Sequence, residues 1–290
     1  MKSKINFFRN FLFIPAIKIE RCGSKINDLD LDGIIYDLED SVAESSKDEA
    51  RSKLISYLKE NSSKTLNCVR VNSIRTNFYE SDWKAVNEIK PDMVFLPKIE
   101  SVEEIKDAER RIKDYEISYG KTLDLFVAIE TIKGFYNRDA IFSSSKKISV
   151  VVLGYEDMSA DLGIERPELK ETGPLNKMLM DLIISSKMYG IQAIGAVSRK
   201  IKENAIDGVR EEALYEKKIG LLGKLAVHPL QIKPINEVYD QDKMVAEYKK
   251  KLEAFDKLSD GSCVIVNESG EMEDTPSLKL AKRALEKYGN

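Results

Sequence analysis

The chain has 290 residues, of which 42% are hydrophobic and 33% charged, and a formal net charge of -3. Acids and bases are interspersed, which excludes the clustered basic footprint of a nucleic-acid binder, and no apolar run approaches the roughly 20 residues of a membrane span. A chain of this length supports one large core or two smaller ones.

The N-terminus, MKSKINFFRNFLFIPA, has a basic start and an apolar stretch. Arg9 and Asn10 interrupt that stretch and no clean small-residue cleavage site follows, so it reads as a polar lead-in to a first strand and not as a signal peptide. Short apolar runs then recur: Phe11 to Ala16, Gly33 to Asp40, Asn67 to Asn72 and Met93 to Lys98. They continue with Asp124 to Glu130, Ile148 to Gly154, Ile191 to Val197 and Gly223 to Pro229. Rich in Val, Ile and Phe, and apolar on both parities, they predict strands buried on both faces. Between them lie helical patterns. SKDEARSKLISYLKEN puts Ala50, Leu54, Ile55 and Leu58 on one face. Ser101 with Glu104 forms a capping box. Pro174 stands near a helix start and Gly190 just past its end.

Strand then helix, eight times in about 230 residues, predicts a parallel sheet closed as an α/β (β/α)₈ TIM barrel. The alternative, an open doubly wound sheet, would want a glycine fingerprint after the first strand, and none is there. The predicted domains are residues 1–240, the barrel, and 241–290, a C-terminal helix-hairpin-helix extension. In that tail a helix runs to Gly261, a hairpin turns at Ser269-Gly270, and a last helix has Thr275 as cap and Pro276 at its first position. Cys22, Cys68 and Cys263 are scattered without metal-ligand spacing, which suits idle thiols in a cytoplasmic chain.

A barrel enzyme builds its site at the C-terminal ends of its strands. The second strand ends in Asp37, Glu39 and Asp40, the third in Arg70 and Asn72, and the fourth in Lys98. The fifth ends in Glu130, the sixth leads to Gly154 and Asp157, and the eighth to His228, the one histidine. Each has a plain structural alternative: an ion pair for Arg70, a helix cap for Lys98, Asp157 or Asp161, a satisfied structural residue for His228. Together they place charge at nearly every strand end and scarcely inside the strands. Glu130 and Asp157, on adjacent strands with no Cys or His cluster, form a hard-cation pattern suited to Mg²⁺. Arg70 beside such a metal would meet an anionic oxygen, such as a carbonyl becoming an enolate. No Ser-His or Cys-His arrangement offers an activated nucleophile.

These residues resemble the citrate lyase β-subunit and malyl-CoA lyase branch of the HpcH/HpaI aldolase superfamily. The matching stretches are FIPA with Glu20-Arg21, YDLEDSVAESSKDEAR, VRVN, FLPKIES, AIETIKG, LGYEDMSADLG, GKLAVHPLQI and, in the tail, GEMEDTP. The resemblance implies a Mg²⁺-dependent lyase, or one using Mn²⁺ in its place, that cleaves a C–C bond in a 3-hydroxyacyl thioester. Citryl, malyl or citramalyl groups on CoA or an acyl carrier are the implied substrates. It implies Glu130 and Asp157 as metal ligands, Arg70 on the thioester carbonyl, and Glu39 and Asp40 holding metal waters and orienting Arg70. Asp274, on a tail covering a neighbouring subunit's mouth, is the implied general base. Asn72, Lys98, Gly154, Lys18 and His228 complete the implied substrate contacts. A homotrimer or hexamer, with other lyase subunits as further partners, is the implied assembly. Asp37, sharing a side of the strand with Glu39, is left to pair within the barrel, and Ser45 or Ser46 to cap the next helix.

The sequence departs from the family pattern at two places. Ile17, Lys18 and Ile19 stand where the first loop commonly has Asp-Arg-Pro, and Gly195 where the seventh strand usually ends in Asp. Two other readings follow: an aldolase on a free 2-keto acid aldol, against which the tail argues, and a non-catalytic ligand-binding or complex subunit, which only these departures support.

Overall fold

A computed structural model describes residues 7–23, 26, 28–61, 65–168, 173–257, 264–267, 270 and 272–288. They fall into two compact units, Phe8–Val238 and Tyr239–Asn290 with Phe7. Among the described residues no helix is long and apolar enough to cross a membrane.

The first unit is an eight-stranded parallel sheet. Its strands are β1 (Asn10–Pro15), β2 (Gly33–Asp37), β3 (Leu66–Arg70), β4 (Met93–Leu96), β5 (Asp124–Ile129), β6 (Ile148–Leu153), β7 (Gln192–Ile194) and β8 (Lys224–Ala226). From β1 to β7 each strand pairs with the next in sequence, and β8 pairs with β1. The sheet closes on itself at a single bridge between Gly195 and Lys224, where the Gly195 N–H donates to the Gly223 carbonyl at 2.8 Å. The result is the (β/α)₈ barrel that strand-helix alternation predicts. Helices such as Lys47–Glu60, Val102–Tyr119 and Pro174–Met188 follow the strands. Short paired strands buried on both sides need no alternation, which is why their sequence is apolar on both parities. Phe11, Phe95 and Phe126 meet inside the barrel, with ring centroids 5.6 and 4.5 Å apart for Phe11–Phe126 and Phe95–Phe126.

Local signals hold at several ends. Glu104 accepts from the Ser101 N–H, completing the capping box. Pro174 opens its helix and Gly190 follows the helix end at φ 73°. The expected Ser45 or Ser46 cap is absent: Ser46 makes no side-chain cap bond, and the chain enters the helix through a 3₁₀ turn at Glu44–Ser46.

In the second unit the helices Gln241–Asp256 and Thr275–Tyr288 pack on one another, burying Phe255 and Ala281. The first of them ends at Asp256; Gly261, where the sequence ends it, and Ser269 of the expected turn lie outside the described residues, as does Cys263. A two-stranded hairpin joins Ile265–Val266 to Met272–Glu273.

Candidate active site

At the C-terminal end of the barrel strands lies a cavity of about 420 Å³. Arg70, Asp37, Asp40, Glu130, Gly154 and Asp157 all line it. The parallel sheet brings them together: every strand leaves the barrel on the same side, so residues distant in sequence share one rim.

Arg70 is the centre of the acidic side. Its Nε and Nη2 donate to the two carboxylate oxygens of Asp37, each at 2.7 Å. Its Nη1 lies 3.0 Å from Glu39 and 3.7 Å from Asp40. The guanidinium sits over the Phe13 ring, 4.8 Å from its centroid. Burial works against its charge, but Asp37, Glu39 and Glu130 outweigh burial and hold it ionised. Asp37 is itself 1% exposed. Burial pushes its carboxyl up, yet the Arg70 charge, the Arg70 hydrogen bonds and the Glu39 N–H together hold it below the usual carboxylate range.

Lys98 has a left-handed backbone, φ 53°, rare for a residue with a side chain. Glu130 accepts its N–H at 2.9 Å and Arg75 donates to its carbonyl at 2.5 Å. The turn carries its ammonium to Glu39 at 2.9 Å, Asp40 at 3.3 Å and Asp157 at 3.7 Å. Burial, and then the negative charge of Glu39, push the Glu130 carboxyl up to about 8.

These residues fit a divalent cation. Glu130 is a buried carboxyl whose proton is favoured by that burial and by the neighbouring Glu39 charge, against the pull of Arg70 and Lys98. Gly154 leaves room for it, since a Cβ there would lie 2.5 Å from Glu130 Oε1. Glu39 Oε2 is buried and lies 3.0 Å from Arg70 Nη1, and a carboxylate oxygen has a further lone pair for a water. No group of three or more His, Cys, Asp or Glu side chains placed to hold a metal occurs among the described residues. Two carboxylates completed by water and substrate oxygens suit Mg²⁺.

A family model described as HpcH/HpaI aldolase/citrate lyase matches residues 9–229. The chain belongs to that family. It is therefore an enzyme of the carbon–carbon lyase kind. It is 27% identical to the citrate lyase subunit beta of Leuconostoc mesenteroides subsp. cremoris, over 88% of this chain and 84% of that one. It is 28% identical to the mitochondrial citramalyl-CoA lyase of Homo sapiens, over 96% and 84%. Among solved structures, CitE from Mycobacterium tuberculosis in complex with magnesium, acetoacetate and coenzyme A superimposes with a TM-score of 0.73, at 22% identity and over 100% of both chains. That likeness carries the fold.

Within this HpcH/HpaI family enzyme, the expected substrate contacts Asn72, Lys18 and His228 do not line this cavity. Asn72 is 3% exposed; its amide donates to the Leu38 carbonyl at 2.9 Å and to Asp82 at 2.7 Å. It ties β3 to the helix Tyr79–Ile89 instead of lining the cavity. Lys18 is exposed, and His228 does not line the cavity. The His228 Nδ1 accepts from the Leu230 N–H at 3.3 Å, capping the turn Pro229–Gln231. Asp274, in the second unit, accepts from the Ser277 N–H at 3.4 Å, so it, and not Thr275, caps the last helix. Asp161 accepts from the Ile132 N–H at 2.6 Å, a structural tie. Sequence reading undervalued Asp37, which takes both Arg70 bonds; its shared parity with Glu39 was the available signal. It missed Arg166 and Tyr155, which line the cavity from the loop and helix after β6.

Proposed function

We propose that this chain is a Mg²⁺-dependent lyase that cleaves a 3-hydroxyacyl thioester on CoA or an acyl carrier into an acyl thioester and an oxo acid. One observation carries the reading: Arg70, locked by Asp37 and Glu39, faces the same cavity as the carboxylate pair Glu130 and Asp157. The names of the relatives, citrate lyase subunit beta and citramalyl-CoA lyase, support the substrate class.

Glu130 and Asp157 would hold the cation. Bound there, Mg²⁺ supplies a Lewis acid for the oxygens of the oxo-acid half. Glu39, beside Arg70, and Asp40 would accept hydrogen bonds from water around it. Arg70 would donate to the thioester oxygen as the C–C bond breaks and negative charge develops on it. A guanidinium already fixed by two carboxylates needs no rearrangement at that moment. The hydroxyl proton of the substrate would go to Asp274 of a neighbouring subunit in a homotrimer or hexamer, and return from it to the enolate carbon to give the acyl thioester. The Ser277 N–H holds that carboxylate in one orientation.

The test is a steady-state assay of citryl-, malyl- and citramalyl-CoA with Mg²⁺. Cleavage of at least one, abolished by chelator and by Arg70→Ala, is expected. Cleavage of none of the three would refute the reading.

A further inference from the structure

The cavity holds a second buried guanidinium that the chemistry above leaves unused. Arg166 follows the helix Tyr155–Asp161, and its side chain is 5% exposed. Its Nη1 donates to Glu156 at 2.6 Å and its Nη2 to the Val197 carbonyl, just past β7, at 3.0 Å. The guanidinium lies 5.0 Å from the Tyr155 ring centroid. Among the described residues these are its only donated hydrogen bonds, so N–H groups of its five remain for a ligand.

Its position is informative. In the sheet order β7 lies four strands from β3, half-way round an eight-stranded barrel. Arg166 therefore stands across the mouth from Arg70, with Glu130 and Asp157 at the ends of the intervening β5 and β6. The wall beside it is apolar, formed by Val152, Ala196, Leu225 and Val227. Glu156 does not cancel the charge, because Arg199 Nε also approaches it, at 3.8 Å. Two cations and one carboxylate leave one net positive charge. A cation against apolar side chains competes little with water, so an anion reaching it forms a strong charge-assisted bond.

Arg166 is also held from behind. The Tyr155 hydroxyl, whose ring underlies the guanidinium, donates to Glu216 Oε1 at 3.3 Å. Glu216 pairs with Lys224 Nζ at 2.8 Å, and both side chains are fully buried. Glu216 occupies the space beside Gly195, where a Cβ would overlap its carboxylate. The glycine that ends β7 thus admits a carboxylate from the helix Ile206–Ile219, which positions Tyr155 and through it Arg166.

We propose that Arg166 is a specificity-determining residue that reads a second carboxylate on the acid half of the substrate. The preferred thioester is then one whose cleavage releases an oxo-dicarboxylate, over one that releases an oxo-monocarboxylate. The proposal rests on the Mg²⁺-dependent lyase reading, and its test separates the two. Calorimetric titration with oxaloacetate and with pyruvate, each at saturating Mg²⁺, gives a ratio of affinities. Wild-type protein is expected to bind oxaloacetate at least about tenfold more tightly, the worth of one hydrogen bond to a charged group. Arg166→Gln should bring the ratio close to one while pyruvate still binds, which also reports an intact fold. Glu156→Gln, altering a half-exposed side chain, should raise the ratio by freeing Arg166 from its carboxylate. Equal affinities in the wild type, or a ratio that Glu156→Gln leaves unchanged or lowers, would overturn the proposal while leaving the lyase reading intact. Failure of both oxo acids to bind with Mg²⁺ present would overturn both.

Discussion

The Glu130 carboxyl offers a direct titration of the metal site. Burial, with the charges of Glu39 and Asp157 adding to it, pushes it up to about 8. At pH 7 it is then about 90% protonated in the metal-free protein, since one pH unit below the pKa is a tenfold ratio. A cation must displace that proton. Mg²⁺ affinity should rise close to tenfold per pH unit from pH 6 to about 8 and flatten above it. Calorimetry at pH 7 in buffers of different ionisation enthalpy should show about 0.9 proton released per Mg²⁺ bound. Folding carries the same signature. An unfolded glutamate titrates near 4.3, so the metal-free fold gains relative stability below about pH 4 and loses it as pH rises through about 8. The pKa difference corresponds to a loss on the order of 5 kcal/mol at most, and Mg²⁺ should restore it. Glu130→Gln should remove proton release, metal binding and this pH dependence together. Proton release near zero, with affinity flat from pH 6 to 9, would refute the assignment of Glu130 as a buried ligand.

Other outcomes follow from single contacts. Asp37→Asn removes the charge that both Arg70 donors meet; urea unfolding should show a loss of about 3–5 kcal/mol, nearer the lower figure because Glu39 remains, and a loss below about 1 kcal/mol would show that the pair is not tightly coupled. Gly154→Ala introduces a Cβ 2.5 Å from Glu130 Oε1, so Mg²⁺ affinity should fall roughly 10–100-fold, as when a supporting contact of a ligand is lost. Asp274→Asn should lower turnover by about 100-fold or more with Mg²⁺ binding unchanged, the expectation for a proton-transfer residue; unchanged turnover would remove it from that role. His228→Ala should cost about 0.5–2 kcal/mol of stability, as for a lost helix cap, and leave oxo-acid binding untouched.

Much of this architecture was legible in the residues themselves. Strands covered on both faces have to be apolar on both parities, and helices over them have to carry one apolar stripe, so alternation of the two patterns determines a barrel. The acids of DLED, the arginine of VRVN and the glutamate of AIET stand where strands end, which is where a parallel barrel collects its chemistry. Only the tertiary structure decided how those groups are shared out. Asp37, and not Glu39 or Asp40, takes the paired Arg70 bonds, because β2 and β3 lie in register with Asp37 opposite Arg70. Asn72 is tied to Asp82 and the Leu38 carbonyl, and His228 to the Leu230 N–H of its own turn, because buried polar groups take the partners that folding brings within reach. Glu216 fills the space that Gly195 leaves, and Arg166 crosses to Val197. Neither is written in a period or a motif, since each depends on how a helix or loop settles against a strand far away in sequence. Local pattern determines which surfaces must be buried; which polar atoms then meet is set by distances that exist only after the barrel has closed.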